Sequence, residues 1–194
     1  MTSVWVESVG RSLDQAIEML ASSLRDCPDS LWEASMWPVP APKPEQPFLG
    51  ADWKPVTDPA ERAILAERWA ERWSTPWSVA WHALEVLDYD LNGELSPWMP
   101  PPPFAGHPHW RDLPSLAQPW SRAELLGYVD YCREQARTIL AGMTEEKAAT
   151  PLPRSHRYGG QPYASNIVGL VVHTTEHAAQ IRQFVTGAGA AREL

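Results

Sequence analysis

His173 and His177 stand four residues apart in the last strongly apolar stretch of the chain, and His82 lies in an earlier one. An α-helix turns about 100° per residue, so positions i and i+4 share a face about one turn apart. Two imidazoles so placed can grip one metal ion, and a third from a facing helix would complete a facial set. Three neutral imidazoles leave a divalent ion with its full positive charge and an open position, as in catalytic rather than structural zinc. A water in that position loses its proton near neutral pH, with a pKa of about 7 for zinc. A small thiol there would ionise outright, and the resulting thiolate or hydroxide could attack an electrophile. Three imidazoles suit zinc, nickel, copper and iron alike, so the residues do not name the metal. The plain alternative stays open: a histidine on an apolar face is more often a buried, hydrogen-bonded side chain than a ligand. A third inward imidazole weighs toward metal, because uncharged imidazoles are awkward in a hydrophobic core.

The elements that must carry these rings read as helices. Ser12 followed by Gln15 forms a capping-box pattern before the stripe Leu13, Ile17, Leu20 and Leu24, and Pro28 ends that helix. Asp58-Pro59-Ala60-Glu61 gives an N-cap, a first-turn proline and an acidic third position, predicting a helix through Ile64, Leu65, Trp69 and Trp73. Thr75-Pro76 opens the helix of His82, which Asn92-Gly93 closes. Ser121 and Glu124 form a second capping box ahead of Leu125, Val129, Cys132, Ala136 and Leu140, and Thr144 caps one short turn. A loop from Thr150 to about Gln161 leads to the helix of His173 and His177, expected to end at Thr186-Gly187. With no convincing strand, the fold class is all-α, built on four principal helices with one extra helix before the second.

Composition bounds what such a fold does. The chain has 194 residues and a net charge of −8, which suits one domain and argues against nucleic-acid binding and against docking on an anionic membrane. No apolar run is long enough to span a bilayer, and MTSVWVESVGRSLDQ does not read as a signal peptide. With only Cys27 and Cys132 there is no disulfide framework, so a cytoplasmic location is expected. Cys132 falls on an apolar stripe, and nothing near Cys27 argues for a lowered pKa. Twenty prolines and eleven tryptophans mark two connections, at about 34–58 and 93–120. They cannot be continuous helix, yet their aromatics (Trp37, Phe48, Trp53; Trp98, Phe104, Trp110, Trp120) predict long ordered loops over the helices, not domain boundaries.

Helical phase places the other candidates. Gly169, Leu170, His173, His177, Ile181 and Phe184 fall within roughly a 120° sector that should point inward, opposite Arg182, with glycine leaving room beside the imidazoles. Val168, Val171 and Val172 occupy other sectors, so a loop or a second subunit is expected to cover them. His82 shares a sector with Val79, Val86 and Tyr89, and Leu84, Leu87 and Leu91 form a second stripe. Glu85, one turn beyond His82, is the nearest carboxylate by sequence geometry, as proton acceptor or partner to an imidazole; a solvated helix residue is the equal alternative. Tyr89 could orient a small-molecule substrate or simply pack. Arg154-Ser155-His156-Arg157 could receive an acidic substrate or the carboxylates of a thiol cofactor, and His107-Pro108-His109 could approach a metal, with solvated loops the plainer account of both.

Two phrases resemble the DinB-like proteins. Trp77-Ser78-Val79-Ala80-Trp81-His82-Ala83-Leu84-Glu85-Val86-Leu87-Asp88 is similar to that family's second helix, where a histidine opens an apolar run. Val172-His173-Thr174-Thr175-Glu176-His177-Ala178-Ala179-Gln180-Ile181 resembles its fourth, with H-x-x-x-H followed by Q-I. The resemblance covers most of the chain, is specific only at these phrases and gives no guidance for the proline-rich stretches. It implies residues 1–194 as a single four-helix bundle with a long crossover. It also implies a divalent metal (zinc, nickel or iron) held by His82, His173 and His177, and a homodimer. Family members include S-transferases and isomerases that use bacillithiol, mycothiol or glutathione. The expectation is a metal-dependent enzyme, a low-molecular-weight-thiol S-transferase; the alternative is a non-catalytic metal- or ligand-binding bundle for stress-related binding or sensing. Fold alone does not choose between them.

Overall fold

In the computed structural model the described residues are 4–43, 48, 55–92, 98–105, 119–154 and 158–190. The chain is all-α across the described residues, with no strand among them; an isolated bridge joins Pro151 and Pro162. The helices are α1 (Val4–Asp26), α2 (Pro59–Glu67), α3 (Glu71–Ser74), α4 (Pro76–Asn92), α5 (Arg122–Ala141), α6 (Glu145–Ala149) and α7 (Tyr163–Ala190), with a short 3-10 turn at Asp29–Leu31.

Most of these starts follow from local chemistry. Asp58 accepts from the N–H groups of Ala60 and Glu61 at 2.7 and 3.1 Å, with Pro59 in the first turn. Ser121 accepts from the N–H of Glu124 at 3.2 Å while the Glu124 carboxylate takes the Ser121 N–H at 2.8 Å, the reciprocal box. Thr144 caps α6 through the Lys147 N–H. Three boundaries differ from expectation. α1 is already helical at Val4, and the Ser12 hydroxyl donates to the Ser8 carbonyl at 3.1 Å instead of capping. Burial decides this, because Val6, Trp5 and Val9 extend the apolar stripe ahead of Ser12. The helix expected to run from Asp58 to Trp73 stops at Glu67, with Arg68 at φ −88° and ψ 6°. The Trp69 N–H then bonds to the Ala66 carbonyl at 3.3 Å, a tightened last turn that aims the Trp69 ring at Phe48. α7 continues past Gly187 to Ala190.

Four long helices enclose the main core. α1 and α4 each pack against both α5 and α7, and face one another only across the middle. Side-chain pairs give the directions. Along α4 and α7, His82 meets His173, Asp90 meets Asn166 and Leu91 meets Tyr163, so one helix advances as the other retreats. Tyr128 with Asp88 and Cys132 with Leu84 make α5 antiparallel to α4. Arg133 with Glu18 and Arg137 with Asp14 make it antiparallel to α1 as well. α1 and α4 therefore point the same way, and the connection between them must return the length of a helix.

That return carries a second, smaller cluster: Phe48, Val56 and Leu65, with Ala66 and Trp69 packed on it. The aromatics of the later connection join the main core instead, Phe104 stacking on Tyr128 and tilting against Trp120, each at a centroid distance of 4.5 Å. Both connections are thus ordered packing elements where they are described. Trp53 and Trp110 lie outside the described residues, as does Gly93, the expected stop of α4.

Candidate metal centre

α4 presents His82 and α7 presents His173 and His177, and the antiparallel register brings the three rings together. The His82 and His173 Nε2 atoms are 3.2 Å apart, and those of His173 and His177 are 3.1 Å apart. Ring planes cross at 76–85°, edge to face, with centroids 4.4–5.0 Å apart. All three side chains are half-buried. Among the described residues, these three are the only group of histidine, cysteine or carboxylate side chains whose ligating atoms lie within 4.8 Å of one another.

Hydrogen bonding alone does not account for the convergence. An imidazole nitrogen carries either one N–H or one lone pair, so His173 Nε2 can bond to one neighbouring Nε2, not two. A shared cation does account for it. Two imidazole nitrogens bonded to one divalent ion at about 2.0–2.1 Å lie between about 2.8 Å apart, for right angles, and about 3.4 Å, for tetrahedral ones. Both observed separations fall inside that range.

Gln180, one turn beyond His177, completes the arrangement. Its Oε1 faces His177 Nδ1 at 2.8 Å, so Nδ1–H donates and the lone pair is left on Nε2, toward the other two rings. Burial lowers the His177 pKa, against the weaker opposing effects of the Gln180 hydrogen bond and the Glu176 charge, which favours the neutral ligating form. The ends of α4 and α7 are tied by α7 side chains. Asn166 Nδ2 donates to the Asp90 carbonyl at 2.7 Å and the Tyr163 hydroxyl donates to the Leu91 carbonyl, capping the last turn of α4. That tie fixes the register in which His82 meets its partners.

The other predicted site residues are placed differently. Glu85 is 2% exposed and lies close enough to Tyr128 for its charge to raise that hydroxyl's pKa, beyond the larger effect of burial. It does not join the group of three histidines. Asp88, three residues on, accepts from Tyr128 at 2.9 Å and from Trp98 Nε1 at 3.0 Å. Tyr89 packs edge-on against Trp98 at 5.5 Å, two turns from His82. Arg154 is exposed in the loop before α7, while His156 and the His107-Pro108-His109 segment lie outside the described residues. The room expected beside Gly169 is filled: the Tyr158 ring closes over it, and a Cβ there would stand 2.8 Å from the Tyr158 oxygen. Val168 and Val172, expected to be covered, are 53% and 62% exposed. Cys27 and Cys132 are both buried, and burial raises both thiol pKa values.

Gln180 was within reach of sequence reasoning, since it stands three residues after His177 on the same helical face. Asn166, Tyr163 and Tyr158 were not, because their partners are distant in sequence. Comparison with family models, with curated proteins and with solved structures finds no match to this chain.

Proposed function

We propose that this chain is a divalent-metal protein of DinB-like architecture, a four-helix bundle with a long crossover, and that it acts as a thiol S-transferase. The observation that carries the reading is the meeting of three Nε2 atoms, with separations of 3.1 and 3.2 Å, from two different helices. His82, His173 and His177 would hold the ion, zinc, nickel or iron by donor type. When bound, such an ion acts as a Lewis acid that lowers the pKa of a small thiol or water at its open position. The chain's own contribution is positional. Gln180 keeps a proton on His177 Nδ1, Asn166 and Tyr163 hold α4 and α7 in register, and the buried aromatics beside α4 keep water from the core side. In a homodimer the exposed pair Val168 and Val172 would supply an apolar contact on α7.

One observation favours the alternative, a bundle that binds metal without turnover. No carboxylate joins the three histidines among the described residues, and Glu85 is buried beside Tyr128. Metal analysis of tag-free protein comes first, with about one ion per chain expected. His173→Ala should abolish that content; full occupancy in the variant would refute the ligand set. A panel of low-molecular-weight thiols with a chromogenic electrophile then divides the two readings. Metal-dependent turnover supports the transferase, and its absence across the panel supports the binder.

A further inference from the structure

The clearest feature outside the histidine centre is the contact between Trp37-Pro38-Val39-Pro40-Ala41-Pro42-Lys43 and the α2–α3 corner. Proline at alternate positions fixes φ and pushes each preceding residue to extended backbone, favouring a polyproline-II course. The burial pattern agrees. Val39 and Pro42, three residues apart, are half-buried, while Pro38, Pro40, Ala41 and Lys43 are exposed. Trp69 and Trp73 form the opposing surface, their rings 5.7 Å apart at 66°. Trp69 Nε1 donates to the Pro40 carbonyl at 3.0 Å, and Phe48 braces the far side of Trp69 at 5.7 Å. The segment does not fill the groove: about 320 Å³ of open space remains between it and the two tryptophans.

An aromatic notch with an indole N–H bonded to a proline carbonyl is how one protein recognises a proline-rich segment of another. We propose that the Trp69–Trp73 groove is a polyproline-II docking site, held in cis by residues 38–43, and that a proline-rich x-P-x-P segment of a partner protein displaces this strap. The groove already binds that chemistry within the chain, which is the argument for this occupant. The site is independent of the three histidines and of the function proposed for them.

The strap reduces apparent affinity by the fraction of time it occupies the groove, so loosening it strengthens binding in trans. The test titrates the synthetic peptide WPVPAPK, and the same peptide with its prolines replaced by alanine, into the full chain while following the Trp69 indole N–H resonance. Expected are saturable shifts with the proline peptide alone, about tenfold tighter in Pro40→Ala/Pro42→Ala than in the parent chain. Trp69→Phe keeps a ring in the second cluster and should lose the binding, read there by isothermal titration calorimetry because the Trp69 indole is gone. Metal content and helical circular dichroism of each variant serve as the check on folding. Failure of the peptide to move that resonance in the folded strap variant would overturn the proposal, as would undiminished binding to folded Trp69→Phe. Concentration-dependent dimerisation of the strap variant in place of peptide binding would also overturn it, by making a second copy the occupant.

Discussion

At the scale of single residues, His173 is the hinge of the centre, because both other Nε2 atoms approach it and only one of them can hydrogen-bond to it. Gln180 is the residue whose role separates a ligand set from a chance cluster. An outer partner that fixes a ligand's tautomer is typically worth about 10–100-fold in metal affinity. Gln180→Leu should therefore weaken binding by about that factor in a chelator-competition titration while leaving the unfolding midpoint of the metal-free protein nearly unchanged. A second prediction concerns the cysteines. Burial holds both thiols above their ordinary pKa, so the folded chain keeps them neutral where the unfolded chain, near about 8.5, begins to ionise. A raised acid contributes stability below the unfolded value and loses it as pH rises. The urea midpoint should thus fall between about pH 8 and 10, and Cys27→Ser/Cys132→Ala should flatten that fall. Native protein should also leave both thiols unreacted toward a disulfide reagent that labels them in urea.

At the scale of elements, α7 and the loop before it approach closely where Tyr158 covers Gly169. Gly169→Ala should displace the ring, at about 1–3 kcal/mol, the usual cost of overpacking. Chemical denaturation of Gly169→Ala, Tyr158→Ala and the double variant gives the check: the double should cost less than the two singles combined, because the clash disappears with the ring. Simple additivity would place the cost elsewhere. A cap tests the other kind of boundary. Ser121→Ala breaks a two-way box at the start of α5 and should cost about 1 kcal/mol by the same method. These elements also show what could be read in advance. Asp58, Ser121 and Thr144 were legible because a cap acts within three residues. Ser12 carried the same signal and misled, since α1 runs through it on the strength of Val6 and Trp5 packing far from it in sequence. The three histidines were legible from helical phase, and the break after Glu67 was not, because the Trp69 ring that follows it packs on Phe48 in a different segment.

At the scale of the whole molecule, two apolar clusters of unequal size predict unequal stability. Phe48, Val56 and Leu65 form a small cluster apart from the core of the four long helices, so α2 should open more readily than α1 or α5. Hydrogen exchange checks this: α2 amides should exchange first, and added metal should slow exchange in α4 and α7 while leaving α2 unchanged. Uniform protection across α2 and α5 would contradict the division. The long first connection has a topological cause, since α1 and α4 point the same way and a short turn cannot join them. The histidines straddle the later part of the chain in a similar manner. His82 and His173 are 91 positions apart. An ion joining them would clasp a closed ring of chain containing α5 and α6. An ion held only by the folded chain stabilises it by mass action, by about 2.7 kcal/mol at a free concentration one hundred times its dissociation constant. A chelator would therefore lower the unfolding midpoint of this protein without unfolding it outright.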